Sequence, residues 1–183
     1  KLREAGINRL VINLFHKGQQ IEDFLGDGSQ FGVKINYSYE EELLGTGGGI
    51  GKALEMLGQE PFLLISSDVW TDFNFSGLSL DPEKLAHLVL VENPPNKSKG
   101  DMFLDGDRVN PMGPGMNVTF SGLAIIRPSL FKRKLEGNYE LWEDVLLPAI
   151  ERGKVTGEFF QGTLVNINTK EDLEKLDAYL AGE

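Results

Sequence analysis

Apolar positions along this chain follow two alternating rhythms. Arg9 to Asn13 (RLVIN) is a short continuous apolar run of the buried-strand type. Lys17 to Leu25 places Ile21, Phe24 and Leu25 at helical spacing, and Gly26-Asp27-Gly28 stops that helix. Lys34 to Tyr39 alternates as a strand. Gly47 to Leu57 then sets Ile50, Ala53, Leu54 and Leu57 on one helical face, and Pro61 to Ile65 is again a continuous apolar strand, ending at Ser66-Ser67-Asp68. Strand and helix thus alternate through the front half, which predicts a parallel sheet covered on both faces and joined by right-handed crossovers. In such sheets ligands gather beyond the C-terminal ends of the strands. Asp68 and the loop after Tyr39 stand at two such ends.

The second half changes character. Ala86 to Glu92 predicts a strand, followed by a polar loop from Asn93 to Gly100. Met102 to Leu104 and Arg108 to Asn110 flank Asp105-Gly106-Asp107 as a hairpin. Asn117 to Arg127 reads as a long strand, Leu141 to Arg152 as a helix with Val145, Leu146 and Ile150 inward, and Val155 to Ile167 as a strand. Thr169 caps a last helix, with Glu171 and Asp172 in its first turn, where negative charge suits the helix dipole. At the front, Leu2, Ala5 and Gly6 form the pattern of a helix's last turn and its terminal glycine, so the chain is expected to be a fragment of a longer protein.

Composition narrows the choices. The chain has 183 residues, 40% hydrophobic and 25% charged, which suits one soluble domain. Its formal charge of −10 speaks against general nucleic-acid binding. With no cysteine, disulfides, thiolate metal sites and cysteine nucleophiles are excluded. The apolar runs are too short to cross a bilayer and no basic-then-apolar leader opens the chain, so the expected address is the cytoplasm.

Two features could carry chemistry. Gly45-Thr46-Gly47-Gly48-Gly49 joins a strand region to a helix start, where close backbone approach and free N–H groups could hold a flat base or a phosphate; a tight turn is the plainer alternative. It matches neither a Walker loop nor G-x-G-x-x-G. Asp68, at the end of an apolar strand, is placed either to hold Mg²⁺ or to cap a turn. Asp101 lies beside Lys97 and Lys99 in a polar loop. His16, His87, Trp70, Phe73 and Phe75 are expected to be structural.

Taken together, GDGSQFGVKINYSYE, LGTGGGIGKAL, PFLLISSDVWTDF, TFSGLAIIRPSLF and GKVTGEFFQGTLVNINT resemble the sugar-nucleotidyltransferases (NDP-sugar pyrophosphorylases) over essentially the whole chain. The resemblance implies a three-layer α/β/α, Rossmann-like fold with a mixed, mostly parallel sheet, as a single domain over residues 1–183 that lacks the family's first strand and its glycine-rich, triphosphate-cradling loop. It implies transfer of a nucleotidyl group from a nucleoside triphosphate, UTP first, to a sugar 1-phosphate, N-acetylmuramate 1-phosphate first, with release of pyrophosphate and with Mg²⁺. Gly45, Thr46, Gly47 and Gly48 fall on the base-binding loop and Asp68 on the catalytic, Mg²⁺-holding aspartate. Ser66 falls where an asparagine contacts the sugar, Asp101 on a substrate-contacting aspartate, Ser121-Gly122 on a motif near the sugar, and Asn166 on a second metal-binding aspartate. Because Asn166 brings no charge and the phosphate loop is absent, little turnover is expected of the chain alone. A noncatalytic ligand-binding regulator and a mannose-1-phosphate guanylyltransferase type are the alternative readings.

Overall fold

The computed structural model describes residues 1–95, 97–131 and 137–182. In chain order the elements are β1 (Arg9–Leu14), α1 (Gly18–Leu25), β2 (Lys34–Tyr39), α2 (Gly45–Leu57), β3 (Phe62–Ile65) and β4 (Val69–Thr71). Then come β5 (Ala86–Val91), β6 (Met102–Asp105), β7 (Arg108–Asn110) and β8 (Met116–Ile126). A π-helical segment (Leu141–Leu146) runs into α3 (Leu147–Glu151), and β9 (Val155–Phe159), β10 (Leu164–Asn166) and α4 (Lys170–Ala181) complete the order. Asn96, within the expected polar loop, lies outside the described residues.

The main sheet has the order β3-β8-β5-β9-β7-β6, and β6 also pairs with the first part of β8. β5 is its centre, with Leu88, Val89 and Leu90 fully buried. Leu88 and Leu90 join one core, built with Ile50 from α2 and with Val145, Leu146, Ala149 and Ile150 from the helix behind the sheet. Val89 points the other way, into a second core with Phe73 and Leu123. Both faces of β5 are therefore dry, which is why AHLVLV reads as a continuous apolar run without alternation.

The Rossmann-like α/β reading holds, and the sheet is mixed as expected. The balance of pairings differs: parallel pairing is confined to β1–β2 and β5–β9, whereas β3–β8, β5–β8, β6–β7, β6–β8, β7–β9 and β4–β10 are antiparallel. The long return strand β8 produces this, because it enters between two strands that run against it. The single strand expected over Val155 to Ile167 is two strands. After Phe159 the chain leaves β5, and the stretch past Gly162 pairs with β4, a short strand the sequence did not suggest. Gly162 sits so close to the Phe160 ring and the Asp72 carboxylate that a Cβ would lie 2.2 and 2.5 Å from them.

The front pattern is also realised. Gly6 N–H donates to Arg3 O (3.0 Å) and Ile7 N–H to Leu2 O (2.9 Å), the paired bonds of a Schellman helix stop. At the other end, Thr169 accepts from Asp172 N–H while the Asp172 carboxylate accepts from Thr169 N–H, a complete capping box. Trp70 packs edge-on against Tyr179 of α4, and Phe73 against Phe75 and Phe160, so these aromatics are structural. Half-buried His87 bonds Thr156 Oγ1 through Nδ1 at 2.8 Å, and burial pushes its pKa below the usual histidine value.

The capping box has a pH signature. The Thr169 hydroxyl, and after it the N–H groups of Thr169 and Asn168, hold the Asp172 carboxyl below the ordinary aspartate range. A depressed folded-state pKa stabilises the fold fully above the unfolded-state pKa, and that contribution is lost as pH falls through the folded value. Asp172→Asn is therefore expected to flatten the acid limb of the stability curve, followed by urea unfolding at stepped pH. Curves for variant and parent that differ only by a constant offset would contradict this.

Candidate active site

Helix α2 begins at Gly45, two residues before the expected start, so Gly47 and Gly48 fall in its first turn with Gly49 just after, and all three are buried. The turn is docked from behind by the segment leading into the π-helix. Gly47 and Gly48 N–H both donate to Tyr139 O at 3.1 Å, and Tyr139 N–H donates to Leu44 O at 3.0 Å. Thr46 N–H donates to the Glu140 carboxylate at 3.4 Å. A free helix N-terminus, expected here as a ligand site, is thus largely capped by the chain's own backbone.

The glycines have a packing reason as well. A Cβ on Gly47 would lie 2.6 Å from the Tyr139 ring, and one on Gly51 would lie 2.1 Å from its hydroxyl oxygen. The ring lies along the helix only because these positions are bare. Burial pushes the Tyr139 phenol above its ordinary pKa. On the far side, Asn13 at the end of β1 donates to Gly49 O (2.8 Å) and to the Glu40 carboxylate (3.2 Å).

Across from this turn the sheet carries a second irregularity. The β5–β8 register shifts between Val89 and Leu90, leaving Ser121 and Gly122 of β8 as a bulge. The Ser121 hydroxyl mends the broken ladder, donating to Val89 O (2.6 Å) and accepting from Leu123 N–H (3.1 Å). It is therefore committed to the protein. Gly122 adopts φ +80°, and a Cβ there would lie 2.5 Å from Ser66 Oγ, so the bulge and the end of β3 meet face to face. Ser66 N–H donates to Gly122 O at 3.0 Å.

Asp68 follows in the turn between β3 and β4, solvent-exposed, and its carbonyl accepts from Ile167 N–H at 2.7 Å. Because Asn166 pairs with Val69 in the β4–β10 ladder, Asp68 and Asn166 emerge at the same end of that ribbon. The ribbon, the bulge and the α2 turn enclose an open cleft of about 340 Å³. Thr46, Ser66, Asp68, Ser121, Gly122 and Asn166 all line it. Four candidates do not. Gly45 packs on the Tyr139 carbonyl, and Gly47 and Gly48 are turned toward the Tyr139 side. Asp101 also stands outside the lining: it accepts from Lys97 Nζ (2.5 Å) and from the N–H of the cleft-lining Phe120 (3.0 Å).

Sequence reasoning missed Glu140, Trp142 and Asn168, which line the cleft too. Glu140 and Trp142 sit at the mouth of a helix whose inward-facing apolar positions drew attention away from its first turn. Asn168 lies two residues beyond Asn166, between β10 and the Thr169 cap, where no sequence motif marks it. Among the described lining residues the only charges are the carboxylates of Asp68 and Glu140.

Known proteins place this arrangement. The family profile for Nucleotidyl transferase matches residues 1–97. The chain is also 40% identical to the N-acetylmuramate alpha-1-phosphate uridylyltransferase of Neisseria meningitidis serogroup B, over all of its own length and 82% of that relative. The chain belongs to the nucleotidyl transferase family. A more distant member, the mannose-1-phosphate guanylyltransferase catalytic subunit beta of Danio rerio, is 25% identical over 93% of this chain and 51% of its own. Among solved structures, HddC from Yersinia pseudotuberculosis complexed with GMP-PN superposes with a TM-score of 0.78, covering 98% of this chain and 81% of its own at 21% identity, which shows the shared fold. These nucleotidyl transferases are sugar-phosphate enzymes, so the cleft is the place to look for catalysis.

The fit between Tyr139 and the glycine turn is directly testable. Gly47→Ala is expected to destabilise the protein by about 1–3 kcal/mol through overpacking against the ring. Adding Tyr139→Ala to it is expected to relieve part of that cost in a double-mutant cycle read by urea unfolding. Additive effects would show that the ring and the turn are independent.

Proposed function

We propose that this chain is part of an enzyme that transfers a uridylyl group from UTP to N-acetylmuramate 1-phosphate, releasing pyrophosphate, in a cytoplasmic step of peptidoglycan recycling. The whole-chain identity to a uridylyltransferase of that name supports the substrates. The observation that carries the chemistry is the single cleft joining Asp68, Asn166, Ser66, Gly122 and Thr46, contributed by four separate stretches of chain. In the reaction a phosphate oxygen of the sugar 1-phosphate attacks the α-phosphorus of the nucleotide. A new P–O bond forms as the bond to the β-phosphate breaks, and pyrophosphate leaves with that electron pair. Such transfers depend chiefly on positioning and on stabilising charge on phosphate oxygens.

Among the described residues no group of three or more acidic or histidine side chains could cage a metal. That suits Mg²⁺, which keeps several waters and takes one or two carboxylates plus substrate phosphates. Asp68 would hold it, with the amide oxygen of Asn166 as a neutral second donor. When bound, Mg²⁺ offsets the charge of the phosphates in a cleft whose own described charges are negative. Thr46 and the edge of the α2 turn receive the base, and Ser66 and Gly122 stand where the sugar meets the bulge. Asp101 contributes by fixing the Phe120 backbone, and Ser121 by holding the bulge open.

Calorimetry with UTP, GTP and dTTP in the presence of Mg²⁺, together with pyrophosphate release, tests this reading. UTP is expected to bind best, and in a protein supplied with the family's upstream phosphate loop Asp68→Asn is expected to cut turnover by about 100-fold or more. Asn166→Asp is expected to lower the Mg²⁺ concentration needed for nucleotide binding. Equal binding of all three nucleotides would overturn the uridylyl assignment, and magnesium dependence unchanged in Asp68→Asn would overturn the role of that carboxylate. Nucleotide binding without pyrophosphate release, even with the upstream phosphate loop supplied and with Asn166→Asp, would favour a noncatalytic regulator.

A further inference from the structure

Trp142 is one of two tryptophans in the chain, and the other, Trp70, is engaged with Tyr179. Trp142 lies at the start of the π-helical segment. Leu147 N–H reaches back five residues to Trp142 O, and Pro148, next in the chain, has no N–H to continue an ordinary α-helical ladder at that point. This widened turn holds the tryptophan at the cleft. Trp142 is half-buried: it packs against the main core and also lines the cleft. A ring seated against a packed core and open to a pocket is a rigid platform, already ordered before any ligand arrives.

The groups around it indicate what the platform receives. Besides Asp68, Ser66, Glu140 and Asn168 bring a hydroxyl, a carboxylate and an amide to the same cleft. Such groups pair with ligand hydroxyls, the carboxylate accepting and the amide both donating and accepting. A pyranose offers hydroxyls around its rim and bare C–H bonds on its face. The C–H face suits the negative face of an indole ring through dispersion and the ring quadrupole.

We infer that Trp142 is the platform on which the sugar ring of the sugar 1-phosphate stacks, making it a residue that determines sugar affinity and leaves nucleotide affinity alone. This rests on the sugar-phosphate reading given above and adds the residue that recognises the ring.

The test uses Trp70→Phe protein, in which Trp142 is the only tryptophan. With Mg²⁺ present, N-acetylmuramate 1-phosphate and glucose 1-phosphate are each expected to change its fluorescence saturably, and inorganic phosphate is not. In the otherwise unaltered protein, Trp142→Ala is expected to weaken sugar 1-phosphate binding by about tenfold, the upper end of an aromatic contact. Trp142→Phe is expected to retain most of the affinity. UTP binding, measured by calorimetry, is expected to stay within twofold in both variants. The phenylalanine variant and the single-tryptophan protein keep the test valid if the alanine variant does not fold.

An equal fluorescence response to inorganic phosphate would overturn the inference. So would sugar affinity within twofold of the parent in Trp142→Ala, or a matching loss of UTP affinity. UTP binding with sugar binding indifferent to Trp142 would remove this inference alone. Failure of both UTP and sugar 1-phosphates to bind the unaltered protein would remove the underlying reading as well.

Discussion

Two glycine N–H groups share one carbonyl oxygen, that of Tyr139, and the site is organised around that contact. It joins the first turn of α2 to the segment that opens the helix behind the sheet, so the two ends of the cleft are parts of one packed unit. The tyrosine ring enforces the arrangement from the side, because Gly47 and Gly51 leave it no Cβ to meet. A helix start that would otherwise expose several bare donors is instead satisfied internally. The ligand-facing part of the turn is reduced to Thr46, and the surrounding glycines serve mainly to let the neighbouring segment come close.

The opposite wall depends on a controlled fault in a strand. β8 could have continued its ladder along β5. It bulges at Ser121-Gly122, and the serine hydroxyl takes over a bond that the ladder gives up. The bulge meets the end of β3, and β3 delivers Asp68 through a turn that the β4–β10 ribbon ties down. Each wall is therefore built from a place where regular structure stops, braced by a neighbour that is regular.

Much of this was legible in the sequence. Apolar runs marked β1, β3 and β5, helical spacing marked α1 and α2, and Asp68 stood at the ligand edge of the sheet as either a Mg²⁺ ligand or a turn cap. The resemblance placed Ser66, Gly122 and Asn166 near it, and the cleft does bring them together. What escaped was long-range in origin. β4 is three residues long and exists because β10 pairs with it. Glu140 and Trp142 gain their place from a helix that begins in π register, a consequence of Pro148 that apolar periodicity does not report. Asp101 was legible as a charged loop residue, but its carboxylate turns back onto Lys97 and the Phe120 backbone. The antiparallel majority in the sheet follows from β8, whose length was clear and whose direction was not.

The central position of β5 has a consequence for how the chain is made. Its parallel partner β9 is far away in sequence, with His87 and Thr156 in contact 69 positions apart. On the ribosome β5 therefore emerges well before either neighbour, carrying a dry apolar ribbon with open edges on both sides. Until those neighbours arrive, that ribbon is a place where nascent chains can stick to one another. Conditions that lower the concentration of emerging chains should therefore raise the yield of folded protein.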